Sequence, residues 1–161
     1  MSSAPLIRPA TPADIDEIHA MIVELAEYER SPESVVSTAQ QLHDNLFGDR
    51  PLAEALIAEL DGRVAAQAIF YTTFSTWEGT GGIWLEDLYV RPAFRRTGVG
   101  EALFRHLAAV TLERGYTRYE WVALDWNTPA LSFYAKHGAK THGDWLLHRL
   151  SEDELARAAR A

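Results

Sequence analysis

The 161-residue sequence predicts an α/β domain of the mixed α+β kind, a sheet with helices on both faces. Three observations carry this. Asp61-Gly62 separates two apolar runs, Ala53 to Leu60 and Arg63 to Tyr71, and this dipeptide tolerates the positive φ angles of a tight antiparallel hairpin. Further on, an apolar run (Ile83 to Val90), a helical pattern (Gly98 to Arg114) and a second apolar run (Arg118 to Leu124) form a strand-helix-strand unit. Between these parts, strand and helix patterns alternate with no repeat or low-complexity stretch.

In chain order, Leu6-Ile7-Arg8 is a short apolar strand. Thr11 can cap a helix whose first position suits Pro12, and Ile15, Ile18, Ile22 and Leu25 recur at helical spacing until Ser31-Pro32 interrupts. Thr38 with Gln41 reads as a capping box for a second helix, with Leu42 and Leu46 inward and Gly48 as its stop. After the hairpin, Gly79 to Gly82 reads as a turn into the Ile83 to Val90 strand. The next helix turns Val99, Leu103, Leu107 and Val110 inward and ends at Gly115. Arg118 to Leu124 is then a strand, Pro129 to His137 a short helix and Asp144 to Leu150 a final strand. Ser151-x-x-Glu154 caps a C-terminal helix.

A 47% hydrophobic content at this length suits a single domain, 1–161, able to build its own core. Met1-Ser2-Ser3-Ala4-Pro5 lacks the charged and apolar regions of a leader, and no apolar run nears the ~20 residues of a membrane span, so a cytoplasmic location is expected. With no cysteine, disulfides and a cysteinyl acyl intermediate are excluded. The net charge of -8 disfavours nucleic acid and anionic membranes and suits a cationic small molecule, although it also serves plain solubility. The six histidines show no compact metal-ligand spacing, so no metal is expected.

Two segments carry chemistry. Leu85-Glu86-Asp87-Leu88-Tyr89-Val90-Arg91-Pro92 runs into Arg95-Arg96-Thr97-Gly98-Val99-Gly100, an apolar strand feeding a basic glycine-containing loop that opens a helix. Such a loop lets backbone N–H groups approach a pyrophosphate, and the helix adds its positive dipole end. Downstream, Asp125-Trp126-Asn127 and Phe133-Tyr134 to Gly138-Ala139 join an apolar strand to a short helix ending on glycine.

Together these segments resemble the GNAT family of acetyl-CoA-dependent N-acetyltransferases: the loop fits its Arg/Gln-x-x-Gly-x-Gly/Ala signature, and Asn127 with Phe133-Tyr134 its later coenzyme-side motif. The likeness is closest to the diamine (spermidine/spermine) and thialysine acetyltransferase branch, through Ile7-Arg8-Pro9-Ala10-Thr11, Glu24 to Glu29, Leu85-Glu86-Asp87 and Trp126-Asn127-x-Pro129. The resemblance implies the GNAT fold, a central mixed, mostly antiparallel twisted sheet, and acetyl-CoA as co-substrate. It implies backbone contacts from Leu88, Tyr89 and Val90 to the pantetheine arm, with Arg95, Arg96, Thr97, Gly98, Val99 and Gly100 on the pyrophosphate and Asn127 and Tyr134 on the coenzyme. A homodimer is implied as well.

Acetyl transfer to an amine needs a bound thioester, a neutral amine and a proton for the departing thiolate. An alkylamine has a pKa near ~10, so a carboxylate must collect its proton, directly or through water. Glu86 is the candidate base. In a regular strand Glu86 and Asp87 would face opposite sides, and the resemblance implies a β-bulge that re-aims them at the cleft. Tyr134 is the candidate acid, a phenol able to return a proton to the thiolate.

For the substrate, Glu29, Trp77, Asp87 and Trp145 match positions that read polycations in the branch, and carboxylates and aromatic faces both attract cations. Trp77 and Trp145 also suit core or dimer-interface packing. Ser75 stands where the branch carries a loop carboxylate, and Gly143-Asp144 displaces the acid ahead of Trp145, so a lysine-like or thialysine-like amino acid competes with spermidine. Other readings are a protein or peptide N-acetyltransferase with an open groove, a non-catalytic acyl-CoA-binding sensor, and a polyamine-binding module without turnover.

Overall fold

The computed structural model describes residues 4–160. It divides into two compact units, one running to Val122 and a second beginning at Ala123.

The first unit holds a five-stranded sheet in the order β1-β2-β3-β4-β5, formed by β1 (Leu6–Pro9), β2 (Glu54–Leu60), β3 (Arg63–Ser75), β4 (Thr80–Val90) and β5 (Arg118–Glu120). The β1–β2, β2–β3 and β3–β4 pairs are antiparallel, and β4–β5 is parallel. Residue alternation divides the apolar side chains between two layers. Leu56, Ala58 and Leu60 of β2 pack with α3 (Val99–Glu113) through Val99, Leu103 and Leu107. Ala55 and Ile57 turn the other way, against α1 (Ile15–Tyr28) and α2 (Ala39–Phe47) through Ile18, Met21 and Leu46. Ile18, Met21, Ile57, Leu103 and Leu107 have no exposed surface. Each contributes about 1.5–3 kcal/mol by leaving water, and this welds helices to both faces.

The local signals explain the element ends. Asp61 (φ 52°) and Gly62 (φ 72°) form the β2–β3 turn, both in the left-handed region that Asp-Gly tolerates. Thr38 and Gln41 exchange hydrogen bonds at the start of α2, with Gln41 N donating to Thr38 Oγ1 at 3.2 Å and Thr38 N to Gln41 Oε1 at 2.9 Å. Before α1, Pro12–Asp14 makes a 3-10 turn closed by Asp14, whose carboxylate accepts from Thr11 N and from both terminal nitrogens of Arg8. The Arg8 hydrogen bonds hold the Asp14 carboxyl well below the usual carboxylate range.

Three sequence expectations are corrected. The turn between β3 and β4 spans Thr76 to Gly79, and Gly81 and Gly82 lie inside β4. They are needed for close packing: a Cβ on Gly81 would come within 2.6 Å of the Tyr116 ring, and one on Gly82 within 2.8 Å of Thr73 Oγ1. The strand expected over Arg118 to Leu124 stops at Glu120, because its partner β4 is irregular two residues beyond Trp84, where the ladder ends. Asp144 to Leu150 forms no strand: apolar residues alone do not make one without a neighbour to complete its ladder.

The second unit carries α4 (Thr128–Lys136) and α5 (Glu152–Ala158). Asn127 Oδ1 accepts from Ala130 N at 3.4 Å to cap α4, and Gly138 (φ 82°) follows its end. Ser151 N donates to Glu154 Oε2 at 3.0 Å at the start of α5. None of its described residues is buried.

Candidate active site

The site in the first unit begins with an irregularity of β4. Ile69 lies opposite Asp87 and Phe70 opposite Leu85, so Glu86 is an extra residue with no partner on β3. This is the bulge expected at that position. Its effect is a change of phase. Ile83 and Leu85 face the α3 core before it, and Leu88 and Val90 face that core after it. Asp87, paired with Ile69, and Tyr89 turn toward α1. Without the bulge, with Glu86 in regular register, Asp87 would continue the apolar α3 face of Ile83 and Leu85, where an ionised carboxylate is untenable.

Glu86 is exposed, and its Oε2 accepts from Trp84 Nε1 at 3.0 Å. The Trp84 ring stacks on Tyr71 of β3, centroids 6.4 Å apart and 28° between planes. Asp87 is pushed up to about 6, by burial first and then by the negative charges of Glu86 and Glu29. Burial also raises Glu29, which caps the end of α1. The Tyr71 phenol is raised by burial and by Glu86. Asp87 thus feels the charge of both Glu86 and Glu29, and Glu86 in turn contacts Trp84 and raises Tyr71. An ammonium group placed there would favour the ionised form of Asp87 and gain ring contact besides.

On the β5 side, the ladder to β4 covers only Gly82 to Trp84, so residues 85–90 lie beyond the parallel pairing. Arg91 N donates to Ala65 O of β3 at 3.0 Å, which turns the carbonyl of Val90 to the opposite edge. Leu88 shares that orientation and Tyr89 faces the reverse, so the edge alternates. Past Val90, Arg96 (φ 63°) and Gly98 (φ 88°) both take left-handed conformations in the loop before α3. A Cβ on Gly98 would meet nothing within 4 Å, whereas one on Gly100 would come 3.0 Å from Val90 Cγ2. Arg95, Arg96, Thr97 and Gly98 are exposed, and Val99 is buried as the anchor of the first turn. Thr97 Oγ1 donates to Phe94 O at 2.6 Å, which braces the loop from within. An exposed basic loop at a helix N-terminus, open at its glycine, fits a pyrophosphate.

The other expected residues are placed as follows. Trp77 is 84% exposed at the tip of the β3–β4 hairpin, four pairs and roughly 13 Å along the strands from the Tyr71–Trp84 pair, so it does not join the carboxylates. In the second unit, Tyr134 lies on α4 with its ring edge-on to Phe133 at 5.5 Å. Asn127 is the cap of the same helix, and Trp145 is 70% exposed in the irregular stretch before α5. Sequence reasoning missed Tyr71 and Trp84. Their signal was available, since two aromatics facing each other across a hairpin beside an acidic pair suggest a cation wall, but the partner register depends on the bulge.

A groove of about 550 Å³ lies elsewhere, lined by Glu17, Glu24, Arg63, Arg91 and Phe94, and none of the expected site residues borders it. Its Arg91 is already engaged, 2.7 Å from Glu17 and 3.1 Å from Glu24. Among the described residues no group of three or more His, Asp or Glu side chains could hold a metal ion, and no helix is long and apolar enough to cross a membrane.

Comparison with known proteins agrees with this geometry. The acetyltransferase (GNAT) family model matches residues 16–139, and the chain belongs to that family. The thialysine N-epsilon-acetyltransferase of Caenorhabditis elegans is 38% identical over 124 residues, covering 77% of this chain and 76% of that protein. The L-ornithine N5-acetyltransferase of Arabidopsis thaliana is 27% identical over 194 residues, covering 92% and 85%. An integron cassette protein from V. cholerae shares the fold, with a TM-score of 0.81, 21% identity and 99% of each chain covered. The protein is therefore a GNAT acetyltransferase similar to the diamine and thialysine acetyltransferases, and its family uses acetyl-CoA as co-substrate.

Proposed function

We propose that this enzyme moves acetyl from acetyl-CoA to the side-chain primary amine of a small cationic substrate, a lysine-like amino acid such as thialysine or ornithine ahead of a longer polyamine. The observation that carries the reading is the Glu86 bulge, which sets Asp87 against Glu86 and Glu29 beside the Trp84–Tyr71 wall. The preference for a short amine rests on Ser75. It is buried, and its hydroxyl accepts from Glu78 N at 3.2 Å to close the hairpin turn, so it offers no charge for a second ammonium.

In this mechanism Asp87 and Glu29 hold the ammonium, and Glu86 takes its proton directly or through water. The neutral nitrogen attacks the thioester carbonyl carbon, forming the C–N bond. Collapse of the tetrahedral intermediate breaks the C–S bond, Tyr134 donates its phenolic proton to the departing sulfur, and the nitrogen's second proton leaves through water to restore the Tyr134 phenol, giving the neutral amide and the free thiol. The β4 edge at Leu88 and Val90 accepts the pantetheine amides, with Tyr89 between them packing beneath. The loop from Arg95 to Gly100, with Arg96, Thr97, Gly98 and Val99, holds the pyrophosphate, and Asn127 is a further coenzyme contact. Trp145 is proposed as a further aromatic contact for the cation, and Trp77, remote from the carboxylates along the hairpin, is given no part in holding it. We place the enzyme in the cytoplasm as a homodimer, with no nucleic acid or membrane partner.

The test is acetyl-CoA-dependent thiol release on thialysine, ornithine, spermidine, putrescine and short peptides. Turnover should favour the amino acids, and Tyr134→Phe should lose ~10²-fold or more in kcat. Coenzyme binding without thiol release from any amine would instead identify an acyl-CoA-binding sensor.

A further inference from the structure

Arg95 is tied to two places at once. Its Nε donates to the Val90 carbonyl at 3.2 Å, on the β4 edge, and its guanidinium carbon lies 5.0 Å from the centroid of the Tyr28 ring, within cation–π range. Tyr28 is the last residue of α1, and Glu29 follows it as the helix cap. Beneath them, Tyr89 interacts with both Glu24 of α1 and Arg95, and Glu24 also holds Arg91. The end of α1 therefore reaches the basic loop through Tyr28 and the acidic group through Glu29, on adjacent residues.

We propose that Tyr28 is a positioning residue for acetyl transfer. Its ring holds the Arg95 guanidinium where the pyrophosphate binds, and thereby joins the coenzyme loop to the helix end that carries Glu29. This deepens the functional reading above and rests on it. Unsupported, Arg95 is an exposed four-torsion side chain that must be ordered each time coenzyme binds, and the ring removes part of that cost in advance. The ring face supplies the contact, so the hydroxyl is dispensable. The contribution of Tyr28 to coenzyme binding runs through Arg95, so that contribution should vanish when Arg95 is absent.

The experiment is a double-mutant cycle on the intact protein, titrating CoA calorimetrically and measuring acetyl-CoA kinetics with the best amine found. Tyr28→Leu should weaken CoA binding about two- to fivefold and raise the acetyl-CoA KM by the same factor with kcat unchanged, whereas Tyr28→Phe should stay within about twofold of the parent. In an Arg95→Ala background Tyr28→Leu should have no further effect. An equal loss in that background, or a loss for Tyr28→Phe as large as for Tyr28→Leu, overturns the proposal while the functional reading stands. Failure of the parent protein to bind CoA at all overturns both.

Discussion

In the proposed mechanism Asp87 stands where folding and function pull in opposite directions. Its carboxyl is raised to about 6 by burial and by the neighbouring Glu86 and Glu29, so the ionised form needed to hold an ammonium costs stability in the unliganded protein. The sign follows from the direction of the shift. A carboxyl that binds its proton more tightly folded than unfolded stabilises the fold at low pH, and loses that contribution as pH rises through about 6. Asp87→Asn should therefore be more stable than the parent at pH 8, by on the order of 1–3 kcal/mol, and the difference should close as the pH falls toward 4. Thermal unfolding of both proteins across that range measures it. A difference that stays constant with pH would mean that Asp87 carries no such burden. The same variant should lose amine affinity, because an amide cannot neutralise an ammonium.

At the scale of elements, the sequence was legible wherever a local signal decides the outcome. The Asp61-Gly62 hairpin, the Thr38/Gln41 box, the Gly98 start of α3 and the Ser151/Glu154 start of α5 each depend on a few neighbouring residues, and each is found. The bulge at Glu86 was legible only through family likeness. Leu85-Glu86-Asp87-Leu88 by itself reads as simple continuation of a strand, and the shift shows only against β3. Gly81 and Gly82 were misread as a turn, because their purpose is space for Tyr116 and for Thr73 from distant parts of the chain. Asp144 to Leu150 failed for a related reason: strand propensity is conditional on a partner, and Trp145, Leu146 and Leu147 are exposed here instead. Of the candidate site, the carboxylates were expected from sequence and the neighbouring aromatic pair Tyr71 and Trp84 was not, since that pair depends on cross-strand register.

At the scale of the whole molecule, Trp145, Leu146, Leu147 and Leu150 are all exposed within one short stretch of chain. The proposed homodimer would cover it. Sedimentation of the intact protein should give twice the 18.0 kDa chain mass, and Leu147→Asp should shift the population toward monomer. A monomer at micromolar concentration in the parent protein would remove the dimer from the account. The proposed amine site draws on three of the acidic residues of a chain whose net charge is -8, Glu29, Glu86 and Asp87.

The central claim is that the β4 bulge builds a carboxylate site that binds the amine as a cation and collects its proton. Its most direct test is the pH dependence of kcat/KM for acetylation of thialysine by the parent enzyme, Asp87→Asn and Glu86→Gln. The parent profile should turn down below about pH 6 as Asp87 takes up a proton, and Asp87→Asn should lack this turn and be at least ~10-fold slower at neutral pH. Glu86→Gln should retain the turn at a reduced rate. An unchanged profile in Asp87→Asn, at parental rate, would contradict the claim.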